Sequence, residues 1–186
     1  MLVNLHCTKK LFEQLSISRF EAGETSASTQ ANPLLNWHAN IVTIQRKQNL
    51  VFINDATRYA VFIPCVIKSD LNRLPILFQD VFINSLMKAG LSSELVEKAA
   101  LYLHDSEVSL DTECSRSVQG TMRLMVSDVE ITLDYRGQKI SDLLPYSTSV
   151  MLSDRPCTIK GVKGAIWPIR EKDNLLRGLP SIQAVE

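Results

Sequence analysis

The chain has 186 residues, of which 45% are hydrophobic and 22% charged, and these values exclude a chain that is disordered throughout. Its 20 basic side chains equal its 20 acidic ones, which disfavours a nucleic-acid partner, because such proteins carry a basic excess that neutralises phosphates. No apolar run approaches the roughly 20 residues that span a bilayer, and no secretory signal opens the sequence. We therefore predict a cytoplasmic protein with no membrane partner.

The cysteines and histidines are too scattered to suggest a metal site. The four cysteines include no C-x-x-C pair, and the three histidines show no ligand spacing, so we predict no metal and no cofactor. Phosphate-loop, dinucleotide and hydrolase motifs are also missing from the sequence, which lowers the expectation of an enzyme.

The first predicted elements are a strand and a short helix. Val3, Leu5 and Cys7 alternate along the strand, and the helix follows Thr8. Residues 16–32 are rich in small polar side chains and are predicted to form a surface loop.

Three apolar, β-branched runs follow, at residues 37–46, 50–54 and 59–64. The short polar breaks between them, at 47–49 and 55–58, are typical of hairpin turns, so we predict a three-stranded antiparallel meander. The runs are apolar at both odd and even positions, which point to opposite faces of a sheet. This pattern predicts that helices or a second subunit cover both faces. A homodimer is therefore one expected partner arrangement.

The rest of the chain is predicted to be mainly helical. Helical spacing marks residues 74–85 and 93–103, and a short strand is predicted at 107–111. Residues 118–136 fit both a helix and a strand, and their length and the following Gly137 favour a helix. Residues 146–152 fit either a helix or an edge strand, a last helix begins at Pro168, and residues 181–186 form a loose tail.

These elements predict one α+β domain, an antiparallel β-meander packed with helices. If residues 47–49 form the first turn, residues whose numbers sum to about 96 face each other, so that Val42 faces Asn54. The start of the first meander strand then lies beside the bend at residues 55–58. This end of the sheet is predicted to collect Trp37, His38, Asn40, Asn54, Asp55, Thr57 and Arg58.

That cluster combines an imidazole, a carboxylate, a guanidinium and two amides. It could bind a small polar or anionic ligand, and His38 with Asp55 could transfer protons. The same residues are also common in turns and at strand ends, so a purely structural role stays open.

A second cluster, Cys114-Ser115-Arg116-Ser117, precedes the helix predicted at 118–136. Arg116 and Ser117 could hold an anion at the helix N-terminus, while the alternative is that Ser115 or Ser117 only caps the helix. The basic segment 155–172 leaves weak nucleic-acid binding as a third option.

Four short segments carry a resemblance to a family: Leu5-His6-Cys7-Thr8-Lys9-Lys10-Leu11, Trp37-His38-Ala39-Asn40, Asn54-Asp55-Ala56-Thr57-Arg58 and Ser115-Arg116-Ser117-Val118-Gln119-Gly120. On these, roughly the first two thirds of the chain resembles a bacterial family of small proteins of unknown function. The resemblance implies an accessory protein, often carried on plasmids, integron cassettes or other mobile DNA.

Two hypotheses of function follow. The first is a non-enzymatic binding or interaction module whose partner is a small polar or anionic molecule or another protein. The alternative is a small enzyme that acts on such a molecule through His38, Asp55 and Arg58.

Overall fold

Five strands form the main sheet of the computed structural model, which describes residues 2–15, 32–104, 106–159 and 161–181. They are Leu2–Cys7 (β1), Asn36–Ile44 (β2), Lys47–Asn54 (β3), Ala60–Val66 (β4) and Glu107–Asp111 (β5). Their order across the sheet is β4-β3-β2-β1-β5. The strands β2, β3 and β4 form an antiparallel meander, whereas β1 runs parallel to both β2 and β5. The α+β class is therefore confirmed, but the sheet is mixed and not a pure antiparallel meander.

The parallel pairs arise because long connections join β1 to its neighbours in the sheet. A two-residue turn can join only antiparallel strands, whereas a parallel pair needs a crossover of a dozen or more residues. Residues 8–35 separate β1 from β2, and β5 follows only after the whole meander and several helices. The predicted loop at 16–32 lies outside the described residues except for Asn32, and so do residues 182–186 of the predicted tail.

Helices surround the sheet in the part of the chain that the structure describes. They are Lys9–Phe12 (α1), Lys68–Leu71 (α2), Leu74–Lys88 (α3), Ser93–Leu103 (α4), Arg116–Arg136 (α5), Pro145–Ser153 (α6) and Pro168–Gly178 (α7). A 3-10 turn at Ile140–Asp142 and a small hairpin of Cys157–Thr158 (β6) and Ala165–Ile166 (β7) complete these elements. The helices predicted at 118–136 and from Pro168 are confirmed, and residues 146–152 are helical.

Each face of the meander carries its own hydrophobic core. Leu50 and Phe52 point into a core shared with α3, α4 and α7, whereas Val51 and Ile53 point into a core shared with α5 and α6. Alternate residues of one strand are thus buried on opposite faces, which explains why the runs are apolar on both parities. Because the chain's own helices cover both faces, the sheet gives no reason for a dimer, and the dimer stays a prediction.

Two serines of α6 close the outer edge of β4. Ser149 and Ser153, one helical turn apart, accept hydrogen bonds at 2.9 Å from the backbone N–H groups of Phe62 and Ala60. An open strand edge is a template for pairing with another chain, and side-chain oxygens that take up its N–H groups block that pairing. This edge of the sheet is therefore closed against strand addition at these two positions.

The predicted register of the first hairpin is wrong. The turn lies at Gln45 and Arg46, so that Trp37 faces Asn54, and Val42 faces Asn49. Both turn residues have left-handed backbone angles, with φ of 47° and 63°. Two-residue turns of this conformation match the twist of the strands that they join, but they normally carry Asn or Gly. Gln45 and Arg46 therefore gave no turn signal in the sequence. The predicted proximity of the start of β2 to the bend at 55–58 is nevertheless correct, because Trp37 is paired with Asn54.

The left-handed turn supplies a test of the register. Arg46→Gly is expected to raise the free energy of unfolding by about 0.5–1 kcal/mol, because glycine adopts this conformation without the steric cost that a Cβ imposes. Chemical denaturation measures the change. Lys47→Gly, one position on and inside β3, serves as the control and should lower stability by a similar amount. Equal effects of both substitutions would contradict this turn.

Candidate functional site

A row of polar side chains crosses the sheet beneath the N-terminus of α5. His6 of β1 lies opposite His38 of β2, and Asp111 at the end of β5 lies opposite His6. The two imidazole rings are 5.0 Å apart between centroids. His38 is paired with Ile53, which faces the core beneath α5, so the row lies on that face of the sheet.

His38 holds three segments together. Its Nδ1 is 2.6 Å from Oδ1 of Asp55, and its Nε2 accepts a hydrogen bond of 2.6 Å from the backbone N–H of Ser115. A backbone N–H can only donate, so Nε2 carries the lone pair and Nδ1 carries the proton that is donated to Asp55. With 2% exposure and both ring nitrogens in use, His38 joins β2, the bend and the start of α5.

His6 is oriented in a different way. Its Nδ1 lies 2.8 and 3.0 Å from the two carboxylate oxygens of Asp111, an arrangement in which the imidazole donates and the carboxylate accepts. Its Nε2 is 3.9 Å from Oδ2 of Asp55, beyond hydrogen-bond length, and bonds to no other residue that the structure describes. The side chains of His6 and Asp55 are 19% and 29% exposed, so both are partly open to solvent.

Arg58 brings the guanidinium to the first turn of α5. It adopts a left-handed conformation with φ of 60°, donates to the carbonyl oxygen of Asp55, and donates to Oγ of Ser117 at 3.2 Å. Arg58 is only 4% exposed, yet its buried Nε has no hydrogen-bond partner among the described residues. Burial lowers the pKa of Arg58, and Asp55 and Cys157 oppose this, but a guanidinium stays charged at any ordinary pH.

The two clusters predicted from the sequence therefore meet in one place. Asp55 and Arg58 come from the bend after β3, and Ser117 comes from the first turn of α5. Arg116 lies exposed at that same helix end, and no side chain caps the helix. The positive end of a 21-residue helix thus adds to the charge of Arg58.

The other residues of the predicted cluster have structural partners. Trp37 is fully buried in the core and donates from Nε1 to the carbonyl of Leu34. Asn54 is also fully buried and donates to the carbonyls of Pro33 and Asn36. Asn40 is half-buried and accepts a hydrogen bond of 2.6 Å from Oγ1 of Thr8. The structure brings Asn40 near the row through β2 but turns Trp37 to the opposite face.

His6 and Asp111 were not singled out as site residues in the sequence. The available signal was the alternation in β1, where Asn4 and His6 share the parity opposite to Leu5 and Cys7, as on a strand with one polar face. Asp111 gave no such signal, because only the parallel pairing of β5 with β1 brings it to His6.

Cys114 lies beside this row but is not poised as a nucleophile. Its Sγ is 3.5 Å from the carbonyl oxygen of His6. Burial raises the pKa of the Cys114 thiol, and the carboxylates of Asp111 and Asp55 raise it further, against a hydrogen bond with Gln119 that lowers it. The thiol is therefore protonated near neutral pH.

The described residues offer neither a metal-ligating cluster nor a membrane-spanning helix. No group of three His, Cys, Asp or Glu side chains within them is placed to hold a metal ion. None of the helices in this part of the chain has the length and apolar character needed to cross a membrane.

The fold and the row define an α+β domain with a histidine–aspartate network under a helix N-terminus. The chain belongs to the family described as "Domain of unknown function (DUF6933)", whose model matches residues 4–171. No curated protein and no solved structure matches the chain. The matched range contains His6, His38, Asp55, Arg58 and Asp111, so the whole network lies inside the family domain.

Proposed function

We propose that this protein is a binding module that holds the anionic group of a small molecule at the N-terminus of α5. The observation that carries the proposal is the buried guanidinium of Arg58, which contacts Ser117 of the first turn and keeps an unpartnered Nε. A buried donor without a partner costs about 1–3 kcal/mol, so a ligand oxygen that accepts from it would recover that free energy. The uncapped helix end supplies further N–H groups for the same anion.

A binding role is better supported than proton transfer by His38. The rival hypothesis, an enzyme using His38, Asp55 and Arg58, requires a free imidazole nitrogen. Both nitrogens of His38 are engaged, one by Asp55 and one by the backbone of Ser115. His38 would have to break one of these hydrogen bonds before it could accept a substrate proton.

A nucleic-acid partner has less support than a small anion. The basic segment 155–172 suggested such a patch, but Lys172 is fully buried and Arg155 pairs with Asp128. Two of its five basic side chains are thus withdrawn from a continuous basic surface.

The wider setting remains part of the proposal. The resemblance in the segments around His6, His38 and Asp55 supports an accessory protein of mobile DNA, and we propose separately that the protein acts in the cytoplasm. Its partner could also be another protein, as the first hypothesis allows. The matched family gives no activity that would decide between these partners.

Arg58→Gln is expected to weaken the binding of inorganic phosphate by about 10- to 100-fold, which corresponds to one or two hydrogen bonds to a charged group. Isothermal titration calorimetry on the full chain measures the affinity, and circular dichroism confirms that the variant is folded. Arg46→Gln, in the hairpin turn at the other end of β2, is the matched control and should bind as the unmodified protein does.

A second, milder variant keeps the test valid if Arg58→Gln does not fold. Ser117→Ala removes one hydroxyl from the first turn of α5 and leaves the charge of Arg58 in place, so a weaker loss of about three- to tenfold is expected. If the unmodified protein binds neither phosphate nor propionate in the millimolar range, or if Arg58→Gln binds the anion as tightly as Arg46→Gln, the proposed anion site is wrong.

A further inference from the structure

Beside the proposed anion site lies a gap bordered by hydrogen-bond acceptors. Its two sides are Nε2 of His6 and Oδ2 of Asp55, which are 3.9 Å apart. That distance is too long for a direct hydrogen bond, but one donor group placed beside the two atoms, off the line that joins them, could bond to both. Such a donor must carry at least two hydrogens.

The hydrogen bonds of the surrounding residues determine which atoms face this gap. Asp111 accepts a hydrogen bond from Nδ1 of His6, and the tautomer that this bond selects presents a lone pair at Nε2. His38 donates to Oδ1 of Asp55, so Oδ2 retains its own lone pairs and the negative charge. An acceptor pair that includes a carboxylate and has a second carboxylate behind it favours a cationic donor.

Asp55 connects this acceptor pair to the proposed anion site. Its side chain borders the gap, while its backbone carbonyl accepts a hydrogen bond from Arg58. Asp55 is therefore common to the acceptor pair and to the surroundings of the guanidinium.

We infer that the ligand is a small zwitterion, whose anionic group binds at Arg58 and the start of α5 and whose primary ammonium lies between His6 and Asp55. This inference rests on the proposed anion site. The anionic group can be a phosphate or a carboxylate, because the guanidinium and the helix N–H groups can donate hydrogen bonds to the oxygens of either. The ammonium completes the site, since its three hydrogens satisfy both free acceptors.

The test compares tethered and separate groups by calorimetry on the full chain in buffer with EDTA. O-phosphoethanolamine is expected to bind at least tenfold more tightly than inorganic phosphate, since the ammonium adds charge-assisted hydrogen bonds. Ethanolamine alone should bind weakly. A parallel titration of β-alanine against propionate shows whether the anionic group is a carboxylate instead.

Two variants test whether the tighter binding of the zwitterion depends on the acceptor pair of His6 and Asp55. Asp55→Asn keeps an oxygen for His38 but replaces an acceptor of the gap with a donor, so it should abolish the advantage of the zwitterion over its plain anion, with both affinities measured in the same variant. His6→Leu removes the other acceptor and should reduce the advantage about tenfold. Asp173→Asn, in the exposed ion pair of α7, is the matched control.

The outcomes separate the two proposals. If phosphate binds but neither zwitterion gains over its plain anion, the inference is wrong while the anion site stands. A gain that survives both Asp55→Asn and His6→Leu, or that appears only when a divalent metal replaces EDTA, also overturns the inference. If none of the anions binds, the proposed function itself fails.

Discussion

Lys172→Met is expected to raise the free energy of unfolding at pH 7 by about 1–3 kcal/mol, because it removes an ionisable group from the core. Lys172 of α7 is fully buried, and its Nζ has no hydrogen-bond partner among the described residues. The nitrogen lies 4.8 Å from the centre of the Trp37 ring and 5.5 Å from that of Phe82. Attraction between a cation and these rings is too weak to offset the loss of hydration, and methionine fits the same space.

The stabilisation by Lys172→Met should decrease as pH rises. Burial holds the pKa of Lys172 well below its usual 10.5 in the folded protein. Between these two pKa values the unfolded chain binds more protons than the folded one, so the stability of the unmodified protein rises with pH in that window. The advantage of the variant should therefore shrink as pH increases from 7 towards 10.

Urea unfolding at several pH values measures both effects. Burial raises the pKa of Cys7 to about 12, so this thiol also contributes to the pH dependence of stability. Comparing the variant with the unmodified protein at each pH cancels that contribution, because both proteins contain Cys7. Lys98→Met provides the matched control, because Nζ of Lys98 donates to the carbonyls of Leu176 and Leu179 at the end of α7. This substitution should lower stability by about 1 kcal/mol. A destabilised Lys172→Met would show that the amine is needed where it lies.

His38→Leu is expected to lower the free energy of unfolding by about 2–4 kcal/mol. The substitution leaves Oδ1 of Asp55 and the backbone N–H of Ser115 without the partner that joins them. His6→Leu should cost less, about 1 kcal/mol, because His6 is partly exposed and water can replace it. Denaturant unfolding of the two variants gives the comparison.

Amide hydrogen exchange gives an independent readout of the same contact. The Ser115 amide should be protected in the unmodified protein and in His6→Leu, but should exchange faster in His38→Leu. Equal stabilities and equal exchange in the two variants would mean that His38 does not hold the start of α5 in place.

Part of the candidate site could be predicted because hairpins are local. The short meander brought His38 and Asp55 to one end of the sheet even though the predicted turn was displaced. Arg58 and Ser117 were both singled out, but in separate clusters, and only the packing of α5 on the sheet brings them into contact. His6 and Asp111 were missed as a pair because 105 positions separate them in the chain.

Local patterns in the sequence predict the α+β class, the helices at 74–85, 93–103 and 118–136 and the strands that are buried on both faces, because periodicities of 2 and 3.6 residues are properties of neighbouring positions. The parallel pairing of β1, the contact of His6 with Asp111 and the burial of Lys172 arise only when the folded chain packs. These depend on contacts between segments far apart in the chain. No local pattern encodes such contacts: Lys172 looks like any surface lysine of an amphipathic helix until α7 packs against Trp37.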